Sequence, residues 1–245
     1  MNTSNPAMIR FQQLEKAGWY TETMSIQGTV VKTAILLLLV FLSAGYTWTL
    51  FHKTGQVSAV TPWMWGGILG GLVMAFATVF KPTWAPITAP LYALLEGLFI
   101  GGISSTLDAA YPGIVIQAVG LTFGTCAVML SIYMTGWIQV TDKFRMGIVA
   151  ATGAIALVYL ATIVLGFFGI SIPYIHQGGV VGILFSLFVV GIAAFNLILD
   201  FDLIEKGAKA GAPKYMEWYG AFALMVTLVW LYIEILRLLS KIRDR

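Results

Sequence analysis

Charged residues are scarce in this chain of 245 residues. Asp, Glu, Lys and Arg together make up 10% of the sequence, whereas hydrophobic residues make up 59%. A soluble domain contains about 25% charged residues because its surface faces water. The composition therefore excludes an ordinary water-soluble protein and predicts an integral membrane protein, with lipid as its solvent. The net charge of +3 is too small to indicate a nucleic-acid partner.

Cysteine and catalytic motifs are scarce as well. Cys126 is the only cysteine and lies in an apolar run, so the chain has no internal disulfide. The sequence lacks a glycine-rich phosphate loop, a His, Cys and acid cluster with metal-ligand spacing, and the GxSG-like and GxGD-like motifs of intramembrane proteases. These absences argue against an enzyme, and we expect no resident cofactor.

Long apolar runs dominate the rest of the sequence. A helix needs roughly 20 apolar residues to cross a bilayer, and period-two alternation is missing, which favours helices over a transmembrane barrel. The prediction is a polar segment at 1–29, an all-α membrane domain at 30–240 and a basic tail at 241–245. Seven runs are long enough to span: 33–51, 62–80, 84–107, 113–138, 146–172, 178–199 and 216–239.

The weakest boundary between these runs lies at Lys81-Pro82. If it is a kink rather than a turn, six spans and a re-entrant segment remain. Lysine and arginine predict the orientation, because they accumulate in cytoplasmic loops, and six loop residues on one side oppose a single one on the other. We therefore expect a cytoplasmic N-terminus in a plasma membrane. Seven spans place four C-terminal basic residues outside, which keeps the six-span alternative open. The six are Lys81, Lys143, Arg145, Lys206, Lys209 and Lys214, and the single one is Lys53.

Three acidic residues lie within or at the end of the apolar runs. Charge inside a membrane is costly and is usually retained for a function. Glu96 is either a site for a proton or cation, or a protonated acid bonded to a neighbouring helix. Asp200 is either a sensing acid or a helix-end partner of Lys206. Glu234 has Arg237 three residues later on the same face, which favours a structural pair.

Four stretches of the chain resemble one known family. They are 196–204 (Asn-Leu-Ile-Leu-Asp-Phe-Asp-Leu-Ile), 228–239 (Leu-Val-Trp-Leu-Tyr-Ile-Glu-Ile-Leu-Arg-Leu-Leu), Glu96-Gly97 with Gly101, and 24–33 (Met-Ser-Ile-Gln-Gly-Thr-Val-Val-Lys-Thr). In order and spacing they are similar to the Bax inhibitor-1-like family, also called transmembrane Bax inhibitor motif proteins. The last stretch resembles its bacterial branch. The resemblance covers residues 24 to 240.

This resemblance implies a seven-helix fold with the last helix at the centre, and a pH-sensitive calcium leak in a bacterial plasma membrane. In the family, an aspartate on the sixth helix shares a proton with one on the seventh, and a basic residue near the end of the second helix latches the first. Asp200 matches the first aspartate and is a possible calcium contact, and Lys81 occupies a position similar to the latch. The second aspartate falls at Thr227, and Glu234 lies about 10 Å further along the helix.

Three functions follow as hypotheses. The first is a passive leak channel for calcium or another cation, with Asp200, Glu96 and Glu234 as candidate sensing acids. The second is a proton-coupled transporter of a small solute with Glu96 as its proton site. The third is a non-conducting membrane partner that modulates a protease or another membrane complex.

Overall fold

A computed structural model describes residues 22–169 and 179–244. Seven of its helices are long and apolar enough to cross a membrane, and they correspond to the seven predicted runs. The prediction of an all-α protein with seven spans is confirmed. The helices are α1 (Ile26–Thr54), α2 (Val57–Phe80), α3 (Ala85–Ala110), α4 (Ile114–Met134), α5 (Asp142–Phe167), α6 (Val180–Lys209) and α7 (Met216–Arg243).

Several helix ends extend beyond the predicted apolar runs because local capping groups set them. Helix α1 begins at Ile26, since the hydroxyl of Ser25 accepts a hydrogen bond from the Gly28 amide. It ends at Gly55, which adopts a left-handed conformation (φ 64°) that costs glycine little. Helix α7 continues to Arg243, so much of the predicted basic tail is helical. Most of the polar segment 1–29 lies outside the described residues.

The boundary at Lys81-Pro82 is a turn between two spans. Residues Pro82–Trp84 form one short 3₁₀ turn that leads directly into α3. Proline fits there because its missing N–H is not needed in the first turn of a helix. This turn removes the alternative of six spans with a re-entrant segment.

Helix α7 lies at the centre of the bundle. It is the most buried of the seven helices, and it packs against α1, α3, α4 and α6. Its fully buried side chains include Met225 and Leu231. The expectation of a central last helix is therefore confirmed.

The first three helices form a compact unit in which glycines allow close approach. A Cβ atom at Gly97 or Gly101 would overlap the backbone of α1 at Val40 or Ala44. In a membrane, small residues allow this packing where no hydrophobic drive brings helices together. Gly97 and Gly101, four residues apart on α3, thus allow α3 to pack closely on α1 within the chain.

An odd number of spans places the start of the first helix and the end of the last helix on opposite sides of the membrane. We call the side with the start of α1 and the loop between α6 and α7 the amino-terminal face, and the side with the end of α7 the carboxy-terminal face. Basic residues at the latter face have partners within the protein. Arg237 pairs with Glu234 at 2.9 Å, and Arg243 donates to the Pro112 carbonyl and to Gln117. These bonds account for two of the four basic residues expected at this end of the chain, and Arg245 lies outside the described residues.

Candidate functional site

Asp200 lies inside the bundle, near the amino-terminal face on α6. Its Oδ2 atom is enclosed and has no hydrogen-bond partner among residues 22–169 and 179–244. The hydroxyl of Thr227 on α7 and the thiol of Cys126 on α4 lie close to the same carboxyl group. An enclosed carboxylate oxygen without a donor is unfavourable. Asp200 is therefore the acid whose surroundings satisfy it least.

Thr227 stands where the resemblance places a second aspartate, and the structure brings it against Asp200. Its side chain is buried, with 8% exposed, and its hydroxyl also donates to the Ala223 carbonyl at 3.3 Å. A hydroxyl can donate to a carboxylate but does not titrate as an acid in the same range. The two-carboxyl arrangement is therefore absent from this position, and one acid remains.

Glu234 is a second enclosed acid. It lies on α7, about two turns nearer the carboxy-terminal face than Thr227. Its side chain is 1% exposed, and its Oε1 atom accepts hydrogen bonds at 2.9 Å from Tyr159 on α5 and from Arg237. Its Oε2 atom has no partner in the described part of the chain. The predicted pairing of Glu234 with Arg237 is present, and no described hydrogen bond joins Glu234 to Asp200.

Lys241 extends this charged cluster by two turns of α7. Its side chain is buried, and its amino group donates to the hydroxyl of Ser186 at 2.8 Å and to the carbonyl of Gly182 at 3.2 Å. The charges of Glu234 and Arg237 both act on it. The cluster therefore joins α7 to α6 and, through Tyr159, to α5.

Glu96 lies elsewhere, on the seam between α2 and α3. Its carboxyl group lies close to Tyr92, one turn earlier on the same helix, and beside Gly71 of α2. Since Tyr92 also packs edge-on against Phe222 of α7, the pair is part of the packed core. The structure does not bring Glu96 to Asp200.

No described hydrogen bond or ion pair joins Lys81 to Asp200. Its side chain is exposed, and its amino group lies 4.5 Å from the centre of the Trp84 ring. No described ion pair joins it to an acid. The physical reason is its location, because Lys81 ends α2, and α2 packs on α3 rather than on α6. In this conformation Lys81 is held by an aromatic face instead of a carboxylate.

Two acids that sequence reasoning left without a role form ion pairs between helices at the amino-terminal face. Glu217 is fully buried and binds Lys32 of α1. Asp202 binds Arg145 of α5 at 2.6 Å and Lys206 at 2.8 Å. The pair of Asp202 and Lys206 was readable from its spacing of four residues. The other contacts cross long stretches of sequence and leave no local signal.

A multi-ligand metal site is not formed by the described side chains. No group of three or more His, Cys, Asp or Glu residues comes together within residues 22–169 and 179–244. Calcium prefers six to eight oxygen ligands. Asp200 therefore belongs to no group of three or more potential metal ligands among the described residues.

Comparison with known proteins gives one match. A family model described as Bax inhibitor 1 like matches residues 5–244, nearly the whole chain. No curated protein and no solved structure matches the chain. The match and the seven apolar helices describe a multi-pass membrane protein.

Proposed function

Since the chain belongs to the Bax inhibitor 1 like family, we propose that it is a pH-sensitive leak channel for calcium or related cations. We place it in a bacterial plasma membrane with a cytoplasmic N-terminus, because the loops of the amino-terminal face carry most of the basic residues. Asp200 is the proton-sensing acid of this proposal.

The enclosed Oδ2 atom of Asp200 is the observation that carries the proposal. An ionised carboxylate accepts hydrogen bonds and attracts cations, whereas a protonated one donates a hydrogen bond and attracts none. A carboxyl group in a membrane interior is costly in its charged form and is usually kept for a function. Protonation of Asp200 thus removes the local charge and gives the carboxyl group a proton that it can donate, next to the hydroxyl of Thr227.

A single acid makes the expected pH response simple. Two acids that share a proton titrate in two coupled steps, whereas Thr227 carries no titratable group in this range. Asparagine has the shape of a protonated aspartate. We therefore expect Asp200→Asn to lose the pH dependence and to hold the flux at the level of the native protein under acidic conditions.

The test is calcium flux into proteoliposomes over a series of acidic to mildly alkaline pH values. The native chain is compared with Asp200→Asn and with Asp142→Asn, a matched control at an exposed acid in the first turn of α5. The control should keep the native pH profile. A conducting Asp200→Asn protein with an unchanged profile would contradict the assignment of Asp200.

Other outcomes point to the alternative functions. Folded protein without flux at any pH would favour a non-conducting membrane partner of another complex. Uphill accumulation of a solute driven by a pH gradient would favour a proton-coupled transporter, with Glu96 as the next acid to replace.

A further inference from the structure

Helix α5 is the least buried of the seven helices. It packs along α6 and has no other extensive helix contact in the part of the chain that the structure describes. Its buried side chains are Ile148 and Ile155. A Cβ atom added at Gly147, Gly153 or Gly166 of α5 would meet open space. The close backbone approach that joins α1 to α3 is therefore missing at these glycines.

Apolar packing of Ile148 and Ile155 holds α5 against α6, and polar contacts that recur every seven residues supplement it. Arg145 donates to Asp202 at 2.6 Å. Thr152 accepts from Asn196 at 2.8 Å, and residue 159 is the tyrosine that donates to Glu234 at 2.9 Å. Seven residues are almost two full turns, so these three side chains lie on one face at intervals of about 10 Å.

This polar row follows the seam through much of the membrane. It begins with an ion pair at the amino-terminal face and continues to Glu234, beyond which Lys241 binds Ser186 on α6. The two carboxylate oxygens that are enclosed without a described partner belong to Asp200 on α6, against which α5 packs, and to Glu234 on α7, which Tyr159 of α5 contacts. Polar contacts between membrane helices are individually weak, and water can replace them.

We propose that the permeant cation crosses along the seam between α5 and α6, and that α5 is the movable wall that opens this seam. The inference rests on the proposed leak function. In the closed state, Tyr159 covers Glu234, and the paired charges of Arg145 and Asp202 close the amino-terminal end. When α5 moves away, water enters the polar row and the carboxylates become accessible to a cation.

A reversible crosslink tests this movement. In a Cys126→Ser background, Thr152→Cys and Asn196→Cys place two thiols where the native side chains touch. Thr78→Cys with Thr88→Cys is the matched control, because these hydroxyls are 2.7 Å apart on the packed seam between α2 and α3. Oxidation of the first pair should abolish calcium flux, and a reductant should restore it. Oxidation of the control pair should leave flux unchanged.

The extent of each crosslink is measured by mass spectrometry of the same vesicles. Fully crosslinked protein at positions 152 and 196 that conducts as well as its reduced form would overturn the movable wall. Loss of flux on oxidation of the control pair as well would overturn it too, because any rigidified helix pair would then suffice.

A second measurement separates this inference from the proposed function. Ile155→Cys, on the buried face of α5, is treated with a water-soluble maleimide and compared with Ala89→Cys in the core of α3. If α5 moves, the thiol at 155 reacts many times faster than the thiol at 89, whether or not calcium flux is found. Equal, slow labelling at both positions would overturn the movable wall, even in a protein that conducts.

Discussion

Gly28 lies against Glu217, and the effect of Gly28→Ala on stability should depend on which residue occupies position 217. A Cβ atom at Gly28 would overlap the buried carboxyl group of Glu217. That carboxyl accepts hydrogen bonds from the amide of Ser25 at 2.8 Å and from its hydroxyl at 2.9 Å, and it also binds Lys32. Gly28→Ala must therefore displace an acid that α1 holds by three groups.

The size of the effect follows from opposing contributions. Alanine stabilises a helix by about 1 kcal/mol relative to glycine. Each hydrogen bond to a charged group contributes about 1.5–3 kcal/mol, so loss of both bonds from Ser25 costs about 3–6 kcal/mol. We expect Gly28→Ala to lower the free energy of unfolding by about 2–5 kcal/mol.

The same substitution should stabilise the protein once the carboxyl group is gone. In a Glu217→Ala background the three atoms nearest to this Cβ are removed, so Gly28→Ala should raise the free energy of unfolding by up to about 1 kcal/mol. In a Glu217→Gln background the amide fills the same volume, so Gly28→Ala should still destabilise. This variant separates the effect of shape from the effect of charge.

The assay is denaturant unfolding in detergent micelles, followed by circular dichroism. The native chain, Gly28→Ala, Glu217→Ala and the double variant form a double-mutant cycle. A coupling free energy near zero between positions 28 and 217 would refute the reasoning. So would a Gly28→Ala protein as stable as the native chain.

Two further stability predictions use the same assay. Gly101→Ala should destabilise by about 1–3 kcal/mol because its Cβ meets the backbone of α1, whereas Gly45→Ala, which meets open space, should not; equal effects would contradict close packing of α1 on α3. Tyr159→Phe should cost about 1–3 kcal/mol because Glu234 loses a buried donor. That cost should vanish in a Glu234→Leu background, and a persistent cost would show that the phenol acts elsewhere.

The helices could be predicted from sequence because lipid imposes one strong requirement. Every apolar run long enough to span must satisfy its backbone internally, so length and hydropathy alone locate it. The ends of the helices were harder to predict from the sequence. The predicted first run starts at residue 33, whereas α1 starts at Ile26, because Ser25 caps a turn that contains Gln27 and Gly28.

The candidate site could be predicted only where its partners are near in sequence. The pair of Glu234 and Arg237 follows from helical spacing. The position of Thr227 opposite Asp200 came from the family resemblance, since no local pattern links two helices. Lys81 as a latch for Asp200 depends on which helices are neighbours, and no described contact joins the two residues. Their relation stays a prediction for another conformation.

Buried polar contacts between distant segments were beyond sequence reasoning altogether. Ser25 and Glu217 are 192 residues apart, and each alone is an ordinary residue near a helix start. The row at Arg145, Thr152 and Tyr159 did leave a signal, because polar residues recur every seven positions in a run of high hydropathy. Such a recurrence predicts that the three residues share one face of α5, but it does not show which helix packs against that face.

The central place of α7 has a consequence for how the protein is made. The ribosome delivers the helices in chain order, so the helix against which α1, α3, α4 and α6 pack is delivered last. Until then, α1 and α3 can pack on each other through Gly97 and Gly101, but α4 and α6 have no α7 to pack against. A chain cut short before Met216 therefore lacks the central helix of the bundle rather than a peripheral one. Assembly is completed only when the final helix is present.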